Sequence, residues 1–480
     1  MKRRFWNPNG LLVSMALFLP GLAWADDPRS PSSESPTTTM PPLAVSEIMS
    51  AIERNHPALS AAKEDEKAAR GDRVAADGGF DTAFRTRAAG TPLGYYRNFR
   101  VDSIVEQPTA VWGATIFGGY RLGRGDIALY DGKLETNEFG EVRAGFVVPV
   151  LRNGPIDRRR ASRERGALGE KGAELGVSAT SLDVKRIGAI RYWEWVAAGR
   201  RLAIAKTLLD IALRRDEQIS TRVVRGDLPP IERAENARSI LQRQSQRVAQ
   251  ERAFQQASIE LSQYYRSASG TPVVPGEERL PSLTEPTAWP VEGFDAAVAM
   301  ALSERPDLKR IAIQRAQAKV EAEFANNQKL PGLDFQMSVS KDFGDGLASR
   351  RPVELEAQVV LDVPIQNRVA KGRADAARAM LFRITEQERG AKDRVSAEVR
   401  DAISAMDLAR ARLTMARREV DVSAELEKAE WSRFSAGDTT LLVVNLREQA
   451  TFDARVREVD AMAECQRALV QYRAATARLR

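Results

Sequence analysis

From Val395 onward, apolar residues alternate at spacings of four and three: Val395, Val399, Ala402, Met406, Ala409, Leu413, Ala416 and Val420. This heptad seam predicts a helix packed along its length against another helix. Phe452, Val456, Val459, Ala463, Val470 and Ala477 keep the same spacing on a return helix, where Gln466 and Arg473 interrupt it. In the first half, Ala161, Leu168, Leu175, Leu182, Ala189 and Val196 recur every seven residues, although the second column of that heptad is mixed and contains glycine. A continuous helix from Val369 to Ser435 would span roughly 100 Å at 1.5 Å per residue, so it needs neighbours along its whole length. The alanine-rich seams suit close side-by-side packing, as in a cylinder of coiled-coil pairs.

A second period, of two, appears elsewhere. Leu333, Phe335, Met337 and Val339 are apolar while Asp334, Gln336, Ser338 and Ser340 are polar, the alternation of a strand with lipid on one side and water on the other. Strands are expected at Phe80 to Ala88, Phe99 to Glu106, Val111 to Arg121, Val142 to Leu151, Leu333 to Lys341 and Pro352 to Val363, with turn residues such as Gly123, Gly125, Asp131, Gly132 and Gly140 among them. Tyr95, Tyr96, Phe99, Trp112, Phe117 and Tyr120 suit an interfacial girdle, and a soluble strand core would use the same residues. One chain has too few strands to close a wide barrel, and an open edge cannot persist in lipid. Several chains must pool their strands, most economically by cyclic symmetry.

The two periods occur in the same order twice. Ile48 to Leu59 matches Ala297 to Leu308 as a short helix carrying a proline before a turn-rich stretch. Phe146 to Val150 followed by Asn153 matches Val360 to Ile365 followed by Asn367, and each run introduces a long helix. Arg225-Gly226-Asp227 matches Ala436-Gly437-Asp438. Three matches in one order make an internal duplication the simplest account. The expected organisation is a first repeat at 44–270 and a second at 293–480 about a proline-rich linker at 267–292. The first has a helix, strands at 79–151, a long helix at about 155–224 and a return helix at about 229–266; the second has a helix, strands at 333–365, a long helix at about 367–436 and a return helix at about 440–478. The fold class is mainly α with a membrane β-barrel contribution.

Lys2, Arg3 and Arg4 before the apolar run Leu11 to Leu19, then Ala23-Trp24-Ala25, read as a signal peptide at 1–25 cleaved near Ala25. A Pro/Ser/Thr-rich lead-in at 26–43 comes next. After the signal no stretch approaches the roughly 18 apolar residues of a membrane-spanning helix, so a membrane role has to use strands. The net charge of +7 falls by three with the leader and is interspersed, which gives no sign of nucleic-acid binding. One histidine, His56, and one cysteine, Cys465, leave no metal-ligand cluster and no Cys/His pair. His56 reads as a helix-surface residue beside Pro57, and Cys465 as a small packing residue. No Walker-type glycine loop is present, so no nucleotide cofactor is expected.

Signal peptide, duplicated halves, strands before heptad helices and the two Gly-Asp turns together resemble the TolC-like outer-membrane efflux protein family, over nearly all the mature chain. The resemblance implies an outer-membrane exit duct of a tripartite export system and no enzyme activity. It implies a homotrimer with a 12-stranded barrel, four strands per chain, above a periplasmic helical tunnel that docks through an adaptor onto an inner-membrane pump. The first strand region, Gly79 to Leu151, is much longer than the second, Leu333 to Ile365, and so holds either an enlarged external loop or additional strands. By the same resemblance, Arg225, Gly226, Asp227, Leu228, Gly437, Asp438 and Thr439 form the periplasmic tip that closes the tunnel and meets the adaptor, glycine permitting the reversal and aspartate capping the returning helix. Ordinary helix-hairpin turns would look the same. Asp421 and Glu425 lie about four turns before Gly437 and stand for a pore-constricting carboxylate ring or, equally, for solvated outward faces. A periplasmic coiled-coil scaffold or adaptor is the alternative reading, and it leaves the alternation at Leu333 to Ser340 unexplained.

Overall fold

The computed structural model describes residues 41–128, 134–286, 289–290 and 293–479. The signal peptide and the lead-in as far as residue 40 lie outside them, as do Asp131 and Gly132.

The first half runs α1 (Val45–Asn55), α2 (Pro57–Asp77), β1 (Ala83–Thr91), β2 (Asn98–Pro108), β3 (Thr115–Gly125), β4 (Glu141–Pro149), α3 (Arg158–Val224) and α4 (Pro230–Ser262). The second runs α5 (Phe294–Glu304), α6 (Pro306–Asn327), β5 (Gly332–Asp342), β6 (Glu354–Asp362), α7 (Arg368–Ala436) and α8 (Leu441–Ala475). The long helices α3 and α7 have 67 and 69 residues, near-equal lengths that match a duplication. Helices dominate, and the heptad seam of α7 is buried from Val395 to Ala416 as its spacing requires.

Proline explains how each half begins. Pro57 and Pro306 occupy the first turns of α2 and α6, where a missing N–H costs nothing, and the residue before each is held in extended geometry, which ends α1 and α5. Each proline therefore opens a helix of 21 or 22 residues, where the sequence pattern suggests a turn-rich stretch.

The return helix also corrects its expected seam. α8 buries two stripes. Ala461, Cys465, Ala468, Tyr472 and Ala475 face α7 in one core cluster. The stripe read from the sequence packs instead against α3, with Phe452 and Val456 beside Ala205 and Leu208, and Val470 beside Ala189. Gln466 interrupts only the second stripe, and its side-chain amide reaches the Thr284 carbonyl at 2.7 Å. Ala477 lies beyond the helix with a positive φ of 57°.

The six described strands form one antiparallel sheet in chain order, with β1 and β6 as its two edges. That is two strands per chain more than the family resemblance implied: the long first region holds added strands. Register sorts the side chains by face. Phe84, Val105, Ile116, Phe146, Met337 and Val359 share one face; Arg85, Asp102, Arg121, Arg143, Ser340 and Glu354 share the other. The charged face is cross-linked by ion pairs, Arg85 to Glu106 at 2.6 Å and Asp102 to Arg121 at 3.3 Å and to Arg143 at 2.7 Å. Arg143 reaches Asp102 across β3, where its direct partner is Gly119 and no side chain bars the way.

Below the sheet, α3 packs against α2 and α6 and, further along, against α4 and α8, while α7 packs against α6 and α8. The described residues from 42 onward thus form a slab bordered on one side by α2 above and α4 below, and on the other by α7. Both borders carry exposed apolar residues, Leu241, Val248 and Ile259 on α4 and Leu408, Met415 and Val422 on α7. Among the described residues no helix is long and apolar enough to cross a membrane.

Candidate functional site at the helical tip

Both long helices end in the same way. Gly226 and Gly437 take φ values of +80° and +84°, the left-handed region where a side chain is strained. The N–H of Gly226 donates to the Val223 carbonyl at 3.1 Å and that of Asp227 to Arg222 at 2.9 Å; Gly437 donates to Phe434 at 3.2 Å and Asp438 to Arg433 at 3.0 Å. These are paired Schellman motifs, which satisfy the last carbonyls of each helix. The aspartates serve through their backbones. They do not cap the returning helices: Pro229 and Thr440 hold the N-cap positions, and neither makes a side-chain capping bond. Arg225, Gly226, Asp227, Gly437 and Asp438 are exposed, and Leu228 and Thr439 are half-buried.

The structure brings the two turns together. Ile219, Phe434, Leu441 and Val444 form a small core, flanked by Val223, Leu228 and Trp431. The N–H of Leu441, the first residue of α8, donates to the buried Glu232 carboxylate of α4 at 3.2 Å. One hairpin therefore caps the other, and the carboxylate sits at the positive end of the α8 dipole.

One turn further in, the interior becomes ionic. Glu448 on α8 is buried between Arg215 on α3 and Arg243 on α4, all three at most 4% exposed. Arg243 reaches its carboxylate at 2.5 Å, Trp431 Nε1 donates to it at 3.1 Å, and Arg215 Nη1 also donates to Asn445 at 2.9 Å. Burial pushes the Arg215 guanidinium below its ordinary value while Glu448 holds it charged. Two arginines share one buried carboxylate, an arrangement that apolar packing would not tolerate without the hydrogen bonds around it.

Sequence reading missed this cluster, and a signal for it exists. On α3 the lower seam reads Ala205, Leu208, Ala212, Arg215, Ile219, with a charge at an apolar position. On α4 the matching stripe, Glu232, Asn236, Ser239 and Arg243, is wholly polar and wholly buried. By composition alone, polar residues at seam spacing pass for solvated faces.

Asp421 and Glu425 are exposed on α7, one turn apart. Asp421 stands three heptads beyond Arg400, whose guanidinium lies 4.6 Å from the Phe294 ring of α5, so the carboxylates continue the α7 face that α5 covers higher up.

Residues 297–478 match the outer membrane efflux protein family. No curated protein matches the chain in sequence. Among solved structures, the chain is similar to the CmeC outer membrane channel of Campylobacter jejuni, at 13% identity and a TM-score of 0.62 over 90% of this chain and 85% of that one. It is similar to the outer membrane protein VceC of Vibrio cholerae, at 14% identity and a TM-score of 0.62 over 90% and 95% of the two chains. It is also similar to the open state of the MtrE outer membrane channel of Neisseria gonorrhoeae, at 15% identity and a TM-score of 0.61 over 90% and 88%. At these identities the likeness is one of fold. Together with the family match over the second half, it supports the TolC-like resemblance read from the sequence.

Proposed function

We propose that this TolC-like chain is a passive exit duct in the Gram-negative outer membrane, which works as a homotrimer and catalyses no reaction. The observation that carries the reading is the sheet. It has an apolar face, a charged face and, among the described strands, two edges, β1 and β6, and a wall of that kind is stable in lipid only when its edges are closed by further copies. Because six is even, β6 of one copy and β1 of the next run antiparallel, so the ring closes in the same manner as the rest of the sheet. The exposed stripes on α4 and α7 then cover one another below it.

In this reading residues 1–25 are removed on export, and the repeats at 44–270 and 293–480 place their helices in the periplasm. Arg225 to Leu228 and Gly437 to Thr439 meet a periplasmic adaptor, which couples the duct to an inner-membrane pump that supplies the energy. Opening separates the two tip hairpins. The polar interior at Arg215, Arg243 and Glu448 suits that movement, since its groups can exchange one another for water, whereas an apolar core cannot. Asp421 and Glu425, present three times each, form a cation-attracting ring where they reach the lumen.

The test is extraction of the full-length protein from outer membranes in mild detergent, followed by sizing. A detergent-dependent trimer supports the duct; a water-soluble periplasmic monomer overturns it and favours the scaffold.

A further inference from the structure

The strand count changes what such a duct can be. We infer that the hairpin β2–β3 is a membrane-spanning insertion that widens the exit to an 18-stranded barrel, six strands from each of three copies. The inference rests on the trimeric reading above and concerns only how the wall is made.

Three observations carry it. First, the hairpin sits inside the sheet. β2 pairs with β1 along nine positions and β3 with β4 along seven, so the hairpin is hydrogen-bonded into the sheet on both sides rather than projecting from its edge. Second, its strands have 11 residues each, the length that crosses a bilayer when tilted, and they carry the same two faces as the rest. Val101, Val105 and Ile116 lie on the apolar side, and Asp102, Glu106 and Arg121 on the charged side, paired to Arg143 on β4, Arg85 on β1 and Glu141 on β4 respectively. A projecting loop needs no such alternation. Third, the periplasmic turn of the hairpin is seated against the start of α3: a Cβ added at Gly113, where φ is +70°, would lie 2.7 Å from the Asn153 carbonyl and 3.0 Å from the Asp157 carboxylate.

The dimensions agree with this. At each level four helices of the chain lie side by side, α2, α3, α6 and α7 above and α4, α3, α8 and α7 below. Twelve helices at about 10 Å make a perimeter of about 120 Å. Eighteen strands about 4.8 Å apart and tilted by about 40° make about 110 Å, whereas 12 strands at that tilt make only about 75 Å. A barrel of 18 strands continues the helical tunnel with little narrowing. Its inner wall is the ion-paired face, a polar exit for large hydrated cargo.

The experiment is cysteine scanning of β2 in the full-length protein in outer-membrane vesicles. Cys465 gives little background, being buried, with its thiol pushed up to about 11 by burial and by the nearby Glu285 and Glu464 carboxylates. With V101C, S103C and V105C on one face and R100C, D102C and I104C on the other, the expected result is loss of labelling by a membrane-impermeant maleimide at the first three only. A lipid-dissolved maleimide should reach those three. Equal labelling of both faces by the impermeant reagent, in a protein that still sizes as a trimer, would overturn the 18-stranded wall and leave the duct intact. A protein that sizes as a soluble monomer fails the duct itself. Because R100C and D102C remove charges, I104C and S103C, which do not, provide the comparison if either variant fails to assemble.

Discussion

The two repeats reach equivalent helices by routes of unequal length. Between α6 and α7 the chain makes two strands; between α2 and α3 it makes four. Yet the joints of the two routes agree closely. His56 and Arg305 both precede a proline that starts a helix. Asn153 and Asn367, the last turns before the long helices, take positive φ values of 69° and 47°. Gly226 and Gly437 close the long helices with the same Schellman geometry. The duplicated chain has kept its joints and varied what lies between them. Joints fix where long elements point, whereas an antiparallel sheet accepts another hairpin wherever its two faces continue.

The largest test of this comparison is at Glu448, where the repeats are tied together. Replacing it with alanine leaves Arg215 and Arg243 buried without a carboxylate, and breaking a buried pair in this way costs about 3–5 kcal/mol. The expected outcome is early unfolding and fast hydrogen exchange confined to the tip, with the upper helices unchanged. Slow exchange at the tip of the variant would mean that the cluster does not hold the hairpins.

Next come the turns. Gly226→Ala and Gly437→Ala should each cost roughly 1–2 kcal/mol, because both residues are left-handed and neither has a neighbour that a Cβ would strike. Denaturant unfolding of the two variants should give similar losses. A large inequality would break the equivalence of the repeats at the tip. Gly437→Asn should recover part of the loss, since asparagine tolerates this region better.

Smaller effects sharpen the functional reading. Neutralising Asp421 and Glu425 together should lower cation preference in single-channel recordings without changing trimer mass. Unchanged selectivity would place both carboxylates on the outer face.

The smallest effect separates His56 from Arg305. His56 accepts from the Ala58 N–H at 3.3 Å, and its ring stacks 5.6 Å from Tyr264. Burial, aided by Arg266, lowers its pKa below 6.5, so the unfolded chain binds the proton more readily. Its contribution is therefore complete above pH 6.5 and is lost as pH falls through the lowered value. Arg305 has no such window. It is paired with Asp307 at 2.7 Å and with Glu398, and although burial pushes the Asp307 carboxyl up, the arginine holds it below its ordinary value. Thermal unfolding at pH 5 and pH 7 should differ slightly for the natural chain and less for H56N, which keeps a capping acceptor.

Much of this architecture was legible because its signals are periodic. The α7 seam from Val395 to Ala416, the alternation from Leu333 to Ser340 and the three paired joints all recur at spacings set by helix and strand geometry. The stripe of α8 that faces α7 was not legible, since a helix buried on two sides has no single period, and Ala461 and Cys465 look no different from Ala463. The four strands of the first half were legible from their partial alternation, although β3 begins at Thr115 rather than Val111 and Gly118, Gly119 and Gly123 dilute its pattern. At the tip, the turns could be found by their glycines, but Arg215, Arg243 and Glu448 could not. Buried charge is written in the same letters as solvated charge, and only the partners distinguish them.

The path of the chain through the sheet sets a rule for how such a molecule can change. Each repeat enters the sheet from a helix at its lower rim and leaves it into another helix at the same rim, so strands can be gained or lost only two at a time. In the threefold ring proposed above, that would be six staves at once. The calibre of such a mouth would then be quantised: it could not drift by small increments, and a broader outlet would require a jump of a whole size while the helices beneath stayed as they were.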